Sequence, residues 1–179
     1  MKLRILSGIL YQHLVHILYI CDMIQRRQTI YLLLATIIAA LLLILNLEYY
    51  TTSGVLENGE TEVFKVGFFT TEVVDEAKLN NTSLIGGLAA YAGVCFITIF
   101  MFKNRKNQVL ACTLGFALLL FSAVMMYRYS FGNDYLVEVT SENIQWPAII
   151  PMSLFILQFL ALKGIKQDEA LVKSLDRIR

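Results

Sequence analysis

His13, His16 and Tyr19 share one face of a helix if residues 5–21 are helical, a spacing at which imidazoles can hold a metal ion. No third strong ligand accompanies them, so no metal centre is assigned. Cys21, Cys95 and Cys112 are an odd set with no C-x-x-C spacing and none in a predicted outer loop, which gives no exported disulfide framework. Cys95 and Cys112 fall at similar depths in successive apolar runs, where contact is permitted, and are read as small packing residues. Seven acids lie between Glu48 and Glu76 and can attract cations, but they lack the D-x-[DN]-x-[DN]-G spacing of a calcium loop. With no nucleophile–base pair, metal set or phosphate loop, no catalytic residue and no cofactor is assigned, and the chain is read as a non-enzyme.

The elements that would position any chemistry are long apolar runs. The chain has 179 residues, 57% of them apolar and 16% charged, against about 25% charge in soluble domains. Four runs match the roughly 20 residues needed to cross a hydrocarbon core: 28–47, 79–102, 107–127 and 143–162. None carries Asp, Glu, Lys, Arg or His in its interior, which excludes the buried charges of a proton relay or intramembrane hydrolase. Their polar residues are Thr98, Thr113, Ser122, Ser153 and Gln158. Ser and Thr hydroxyls return to their own helix backbone, so packing is the reading for this set. The expected fold class is an all-α membrane protein, a four-transmembrane-helix bundle with a small extracytoplasmic β cap.

Charge orients the bundle. Twelve basic residues precede the first run, join the second to the third, or follow the fourth, whereas only Lys65, Lys78 and Arg128 lie in the alternate connections. Both termini are therefore expected in the cytoplasm, with the lipid bilayer as the first partner. Net charge of +1 offers nothing to nucleic acid. The short KNRK link makes the second and third runs antiparallel neighbours. Trp146, Tyr49, Tyr50 and Tyr127 are read as outer interfacial anchors and Tyr31 as an inner one. Gly86 and Ala90, Ala89 and Gly93, and Ala111 and Gly115 are spaced by four, placing small faces where helices approach closely, within one chain or between chains. Pro147 suits a first helical turn, and Pro151 is a candidate bend.

Residues 1–22 form an extension whose apolar part, 5–21, is too short for an easy fifth span. A signal peptide fits poorly, which leaves a membrane-lying segment or an upstream start codon. From Met23 the chain changes character: MIQRRQTIYLLLA resembles the start, and KGIKQDEALVKSLDRIR the end, of a family of small integral membrane proteins found mainly in Bacteroidetes and classed as a domain of unknown function. The resemblance covers Met23 to Arg179. It implies a bacterial inner membrane and carries over no catalytic or binding residue.

Two outer connections carry strand signals, GETEVFKVGFFTTEVV from Gly59 and YLVEV at 135–139, and predict a small antiparallel cap. Asn80 and Asn81 begin N-x-[ST] sequons, read as polar residues at a span end. The tail, 163–179, is expected to be a cytoplasmic amphipathic helix. It can lie on the membrane, bind a partner, pack against Arg26 and Arg27 through Asp168, Glu169 or Asp176, or remain solvated. The candidate surface is Arg26, Arg27, Asp168, Glu169, Leu171, Leu175, Asp176 and Ile178. The functional expectation is a non-enzymatic interaction or assembly protein with a membrane-protein or self partner. The alternative is a small transport or permeability protein, acting as an oligomer whose interface supplies Thr98, Thr113, Ser122 or Gln158.

Overall fold

A computed structural model describes residues 27–55, 61–73, 77–101, 104–132 and 138–176. Helix α1 is Arg27–Leu45, strands β1 to β4 are Glu48–Val55, Thr61–Gly67, Thr70–Val73 and Ala77–Asn80, and helices α2 and α3 are Thr82–Phe100 and Arg105–Phe131. Strand β5, Glu138–Ile144, then leads through a 3-10 turn at Trp146–Ile149 into α4, Ile150–Asp176. The four helices are long and apolar enough to cross a membrane. At about 1.5 Å per residue, the 19 residues of α1 reach roughly the hydrocarbon thickness.

The helices close a ring in which α1 packs on α2 and α4, and α3 packs on the same two. Their burial pattern is inverted relative to a protein folded in water. Helix α3 turns Gln108, Cys112, Gly115 and Ser122 inward and leaves Leu110, Leu114, Leu120 and Val124 outside. Helix α1 does likewise, burying Gln28, Thr29, Ala35 and Ala39 with Leu32 and Leu42, while Leu33, Ile37, Leu41 and Ile44 stay exposed. An outer surface this apolar is stable only where the surroundings are apolar too.

The cap is larger than the two expected segments. All five strands form one antiparallel sheet, ordered β4-β3-β2-β1-β5. Strand β1 is interior, pairing along β2 and, across most of the chain, with β5; the latter ladder sets Tyr50 opposite Ile144 and Val55 opposite Glu138. β1 and β4 lie outside the expected segments, and β5 takes in Glu138 and Val139 of the expected 135–139 and runs on to Ile144, residues 135–137 falling outside the described set.

Span limits shift accordingly. The second span starts at Thr82 instead of 79 because Ala77–Asn80 pairs with β3. The fourth loses 143–144 to β5. The third extends past 127 because Phe131 packs on Tyr50 at a ring separation of 5.3 Å. Pro151 does not bend α4: as its second residue it occupies the first turn, where an N–H has no helical partner. The tail is not a separate helix, since α4 continues unbroken from the span to Asp176.

Tyr49 and Tyr50 are not interfacial anchors. They are 1% and 3% exposed, against 65% and 69% for Tyr127 and Trp146. A register irregularity between Glu48 and Tyr50 lets two successive residues of β1 face the same way. Tyr49 stacks at 4.9 Å on Phe68 and donates its hydroxyl to the Met126 carbonyl at 3.3 Å, seating the sheet on α3.

Candidate functional site

Polar groups at mid-depth converge on Gln158. This α4 side chain is 1% exposed. Its Oε1 accepts the Tyr91 hydroxyl at 3.2 Å and the Cys95 thiol at 3.5 Å, and its Nε2 donates to the Cys112 carbonyl at 2.9 Å. Tyr91 and Cys95 lie one turn apart on α2 and Cys112 lies on α3, so one amide ties three helices together. Room for it comes from Gly115, where a Cβ would press directly on Nε2. Cys95 and Cys112 are therefore parts of one polar cluster as well as packing residues. Tyr91 is the member that sequence reasoning missed, although a tyrosine in the middle of an apolar run signals a hydroxyl that needs a buried partner.

The hydroxyls behave as their chemistry dictates. Thr98, Thr113, Ser122 and Ser153 donate to the carbonyls of Val94, Val109, Leu118 and Ile150 at 2.6, 2.9, 2.9 and 2.6 Å. Thr98, Ser122 and Gln158 are buried within a single chain, so they do not form an outward surface for an oligomer to share. Thr113 alone of that set is exposed. Gly115 serves a contact within the chain, against Gln158 and Tyr91, and Ala111 is half-buried. Gly86 and Gly93 face open space, with nothing within 4 Å of the point a methyl group would occupy, and Ala89 and Ala90 are exposed beside them.

At the end of the ring remote from the sheet Gln28 and Gln108 are each 2% exposed. Gln108 Nε2 donates to the Thr98 carbonyl at 3.3 Å, while the Oε1 atoms of both glutamines have no partner among the described residues. A buried orphan acceptor costs about 1–3 kcal/mol. Gln108→Leu is therefore expected to change the thermal midpoint in detergent little, the relief of the orphan offsetting the lost hydrogen bond.

Of the candidate tail surface, Arg27, Asp168, Glu169 and Leu171 are described with their side chains. Arg27 and Leu171 are exposed, and Asp168 and Glu169 are half-buried. Glu169 is engaged in an interaction of its own. A polar link from this part of α4 runs to Arg105 of α3, whose guanidinium donates to the Asp168 backbone carbonyl. Arg105 is absent from the predicted surface; its place at the start of α3, beside the end of a neighbouring helix, is the signal that points to it. Arg26 and Ile178 lie outside the described residues, as do the side chains of Leu175 and Asp176. Residues 1–22 also lie outside them.

Beneath the sheet, between α3 and α4, is a cavity of about 240 Å³ lined by Tyr49, Tyr50, Met126, Ser130, Pro151 and Phe155 among others. Its chemistry is apolar with hydroxyl groups at one wall. Burial pushes the Tyr49 hydroxyl well above its ordinary value, Tyr129 adding and a hydrogen bond to Ser130 opposing, so it remains a neutral donor. Asn81, 1% exposed, accepts the Thr71 hydroxyl at 2.9 Å and donates to the Gly67 carbonyl at 2.7 Å. Its side chain holds α2 to the sheet. Among the described residues no group of three His, Cys, Asp or Glu is placed to hold a metal ion.

A family model described as a domain of unknown function (DUF4293) matches residues 24–178 of the chain. No curated protein matches it.

Proposed function

The chain belongs to the DUF4293 family, a domain of unknown function, and we propose that it is a bacterial inner-membrane protein with both termini cytoplasmic and a non-enzymatic role in interaction or assembly. The observation that carries this reading is the Gln158 cluster. Its amide is taken up by Tyr91, Cys95 and the Cys112 carbonyl, leaving mid-depth polarity committed to holding helices together and not to passing a solute. The same burial removes Thr98, Ser122 and Gln158 from the surface that the oligomeric transport alternative would share, leaving Thr113 as its one exposed candidate.

The open face of α2 at Gly86, Ala89, Ala90 and Gly93 suits close approach by an apolar helix of a membrane-protein partner or a second copy. Purification from native membranes in mild detergent, followed by mass determination, tests the reading. A stoichiometric partner or a homo-oligomer is expected, and a lone monomer would sink it. Gly86→Leu with Gly93→Leu is expected to dissociate the assembly at least tenfold more readily while the thermal midpoint of the isolated chain stays within a few degrees, because both positions open outward. Retention of the assembly in that variant would move the interface elsewhere.

A further inference from the structure

We propose that the inner end of α4 carries a binding groove for an anionic phospholipid, with Lys163 and Lys166 as its phosphate-binding groups and Phe159 and Leu162 as the floor on which an acyl chain lies. This rests on reading the four helices as membrane spans and is independent of which protein partner the chain takes. The groove is a surface concavity of about 390 Å³ lined by Phe159, Leu162, Lys163, Lys166, Gln167 and Ala170. Those positions, spaced by three and four, share one helix face. Phe159 is 58% exposed, and both lysines and Gln167 are exposed.

The order along the helix repeats the order along a phospholipid. Phe159 and Leu162 lie toward the middle of the span, the two ammonium groups follow, and Gln167 comes after them. Lys163 and Lys166 are one turn apart, close enough for both to donate to one phosphate. Neither is in a salt bridge among the described residues, where the ion pair is Lys65 with Glu48 on the sheet at 3.8 Å. The guanidinium of Arg105 is drawn to the Asp168 carbonyl and does not line the groove, so the lysines are the groove's own cations.

Charge complementarity decides the occupant. A zwitterionic headgroup would bring its own cation against the two lysines, and a free phosphate would leave the Phe159–Leu162 floor uncovered. An anionic headgroup with its chain attached satisfies both parts. Basic pockets at the cytoplasmic ends of membrane helices attract such lipids generally; the apolar floor is what makes this one a site for a whole lipid.

The full chain would be reconstituted into vesicles of phosphatidylcholine alone or with an equal part of phosphatidylglycerol. Insertion is read by flotation, stability by thermal midpoint, and retained lipid by native mass spectrometry of the detergent extract. Wild type is expected to keep phosphatidylglycerol and to show a higher midpoint in its presence. Lys163→Gln with Lys166→Gln should weaken retention roughly tenfold and abolish the gain, leaving the midpoint in phosphatidylcholine unchanged; Lys106→Gln should alter neither. Undiminished retention in the double variant, equal loss on Lys106→Gln, or an equal gain from inorganic phosphate in detergent would each overturn the lipid site. A chain that does not float with either vesicle would overturn the membrane reading itself, a result distinct from an inserted chain indifferent to lipid charge.

Discussion

Gly115→Ala is expected to destabilise the protein by about 2 kcal/mol although alanine is the better helix former. A Cβ at this position presses on Gln158 Nε2. That amide has nowhere to retreat, because its oxygen is fixed by Tyr91 and Cys95 and its nitrogen by the Cys112 carbonyl. Any shift strands a tyrosine hydroxyl or a glutamine N–H in an apolar interior, at about 1–3 kcal/mol per group. The propensity gain of roughly 1 kcal/mol does not recover this. Gly115→Leu, which overfills the space far more, is expected to give no recoverable folded protein.

Thermal unfolding in detergent checks the first case, and its control is built into the same sequence. Gly86→Ala and Gly93→Ala meet open space and should stabilise by roughly 0.5–1 kcal/mol through propensity alone. A double variant, Gly115→Ala with Gln158→Ala, removes the atom that the new methyl strikes. It should be less destabilised than the sum of the single changes. Additive losses would mean that the two residues are not coupled through this contact.

The second large effect is expected at Asn46, the residue that turns the chain out of α1. Its φ of 41° is in the left-handed region, tolerated by Asn and Gly and costly for other residues. Its Oδ1 accepts the backbone N–H groups of Phe69 and Thr70 at 2.9 and 3.1 Å, and its Nδ2 donates to the Thr70 hydroxyl at 2.8 Å. Gly67 completes the joint, since a Cβ there would lie 2.7 Å from that Oδ1.

Asn46→Ala loses the hydrogen bonds and incurs the backbone strain, for an expected cost of about 3 kcal/mol. Asn46→Gly should cost less, because it loses only the hydrogen bonds. Asn46→Asp should cost least, because it keeps the acceptor and the left-handed tolerance. Thermal midpoints should follow that order, and limited proteolysis of Asn46→Ala should cut first in the strand connections as the sheet loosens from α1. An alanine variant equal to the aspartate variant would show that this joint does not hold the sheet.

Four apolar helices near 28–47, 79–102, 107–127 and 143–162 were legible in the sequence because length and composition alone specify such elements. The local return of Ser and Thr hydroxyls was legible for the same reason: the partner is the carbonyl three or four residues back. The sheet was only partly legible. EYYTTSGV follows a span directly and reads as an interfacial aromatic pair, and it becomes an interior strand only through ladders to β2 and to β5, the latter placing Ser53 and Ser141 hydroxyls 2.7 Å apart across 88 residues.

The small residues divide along the same line. Gly86, Gly87, Gly93 and Gly115 look alike in sequence because apolar and small residues surround each of them, so no polar face reveals which side is inward. Packing settled it: Gly87 lies against Ser122 and Phe121, Gly115 against Gln158, and Gly86 and Gly93 face out. The sequence by itself thus determined the number and approximate place of the apolar helices, since hydrocarbon thickness and backbone hydrogen bonding act on each segment separately. Only the tertiary structure decided that Gln158, Tyr91, Cys95 and Cys112 meet, that Tyr49 and Tyr50 turn inward, and that Asn46 clasps the β2–β3 turn, because each depends on groups brought together from distant parts of the chain.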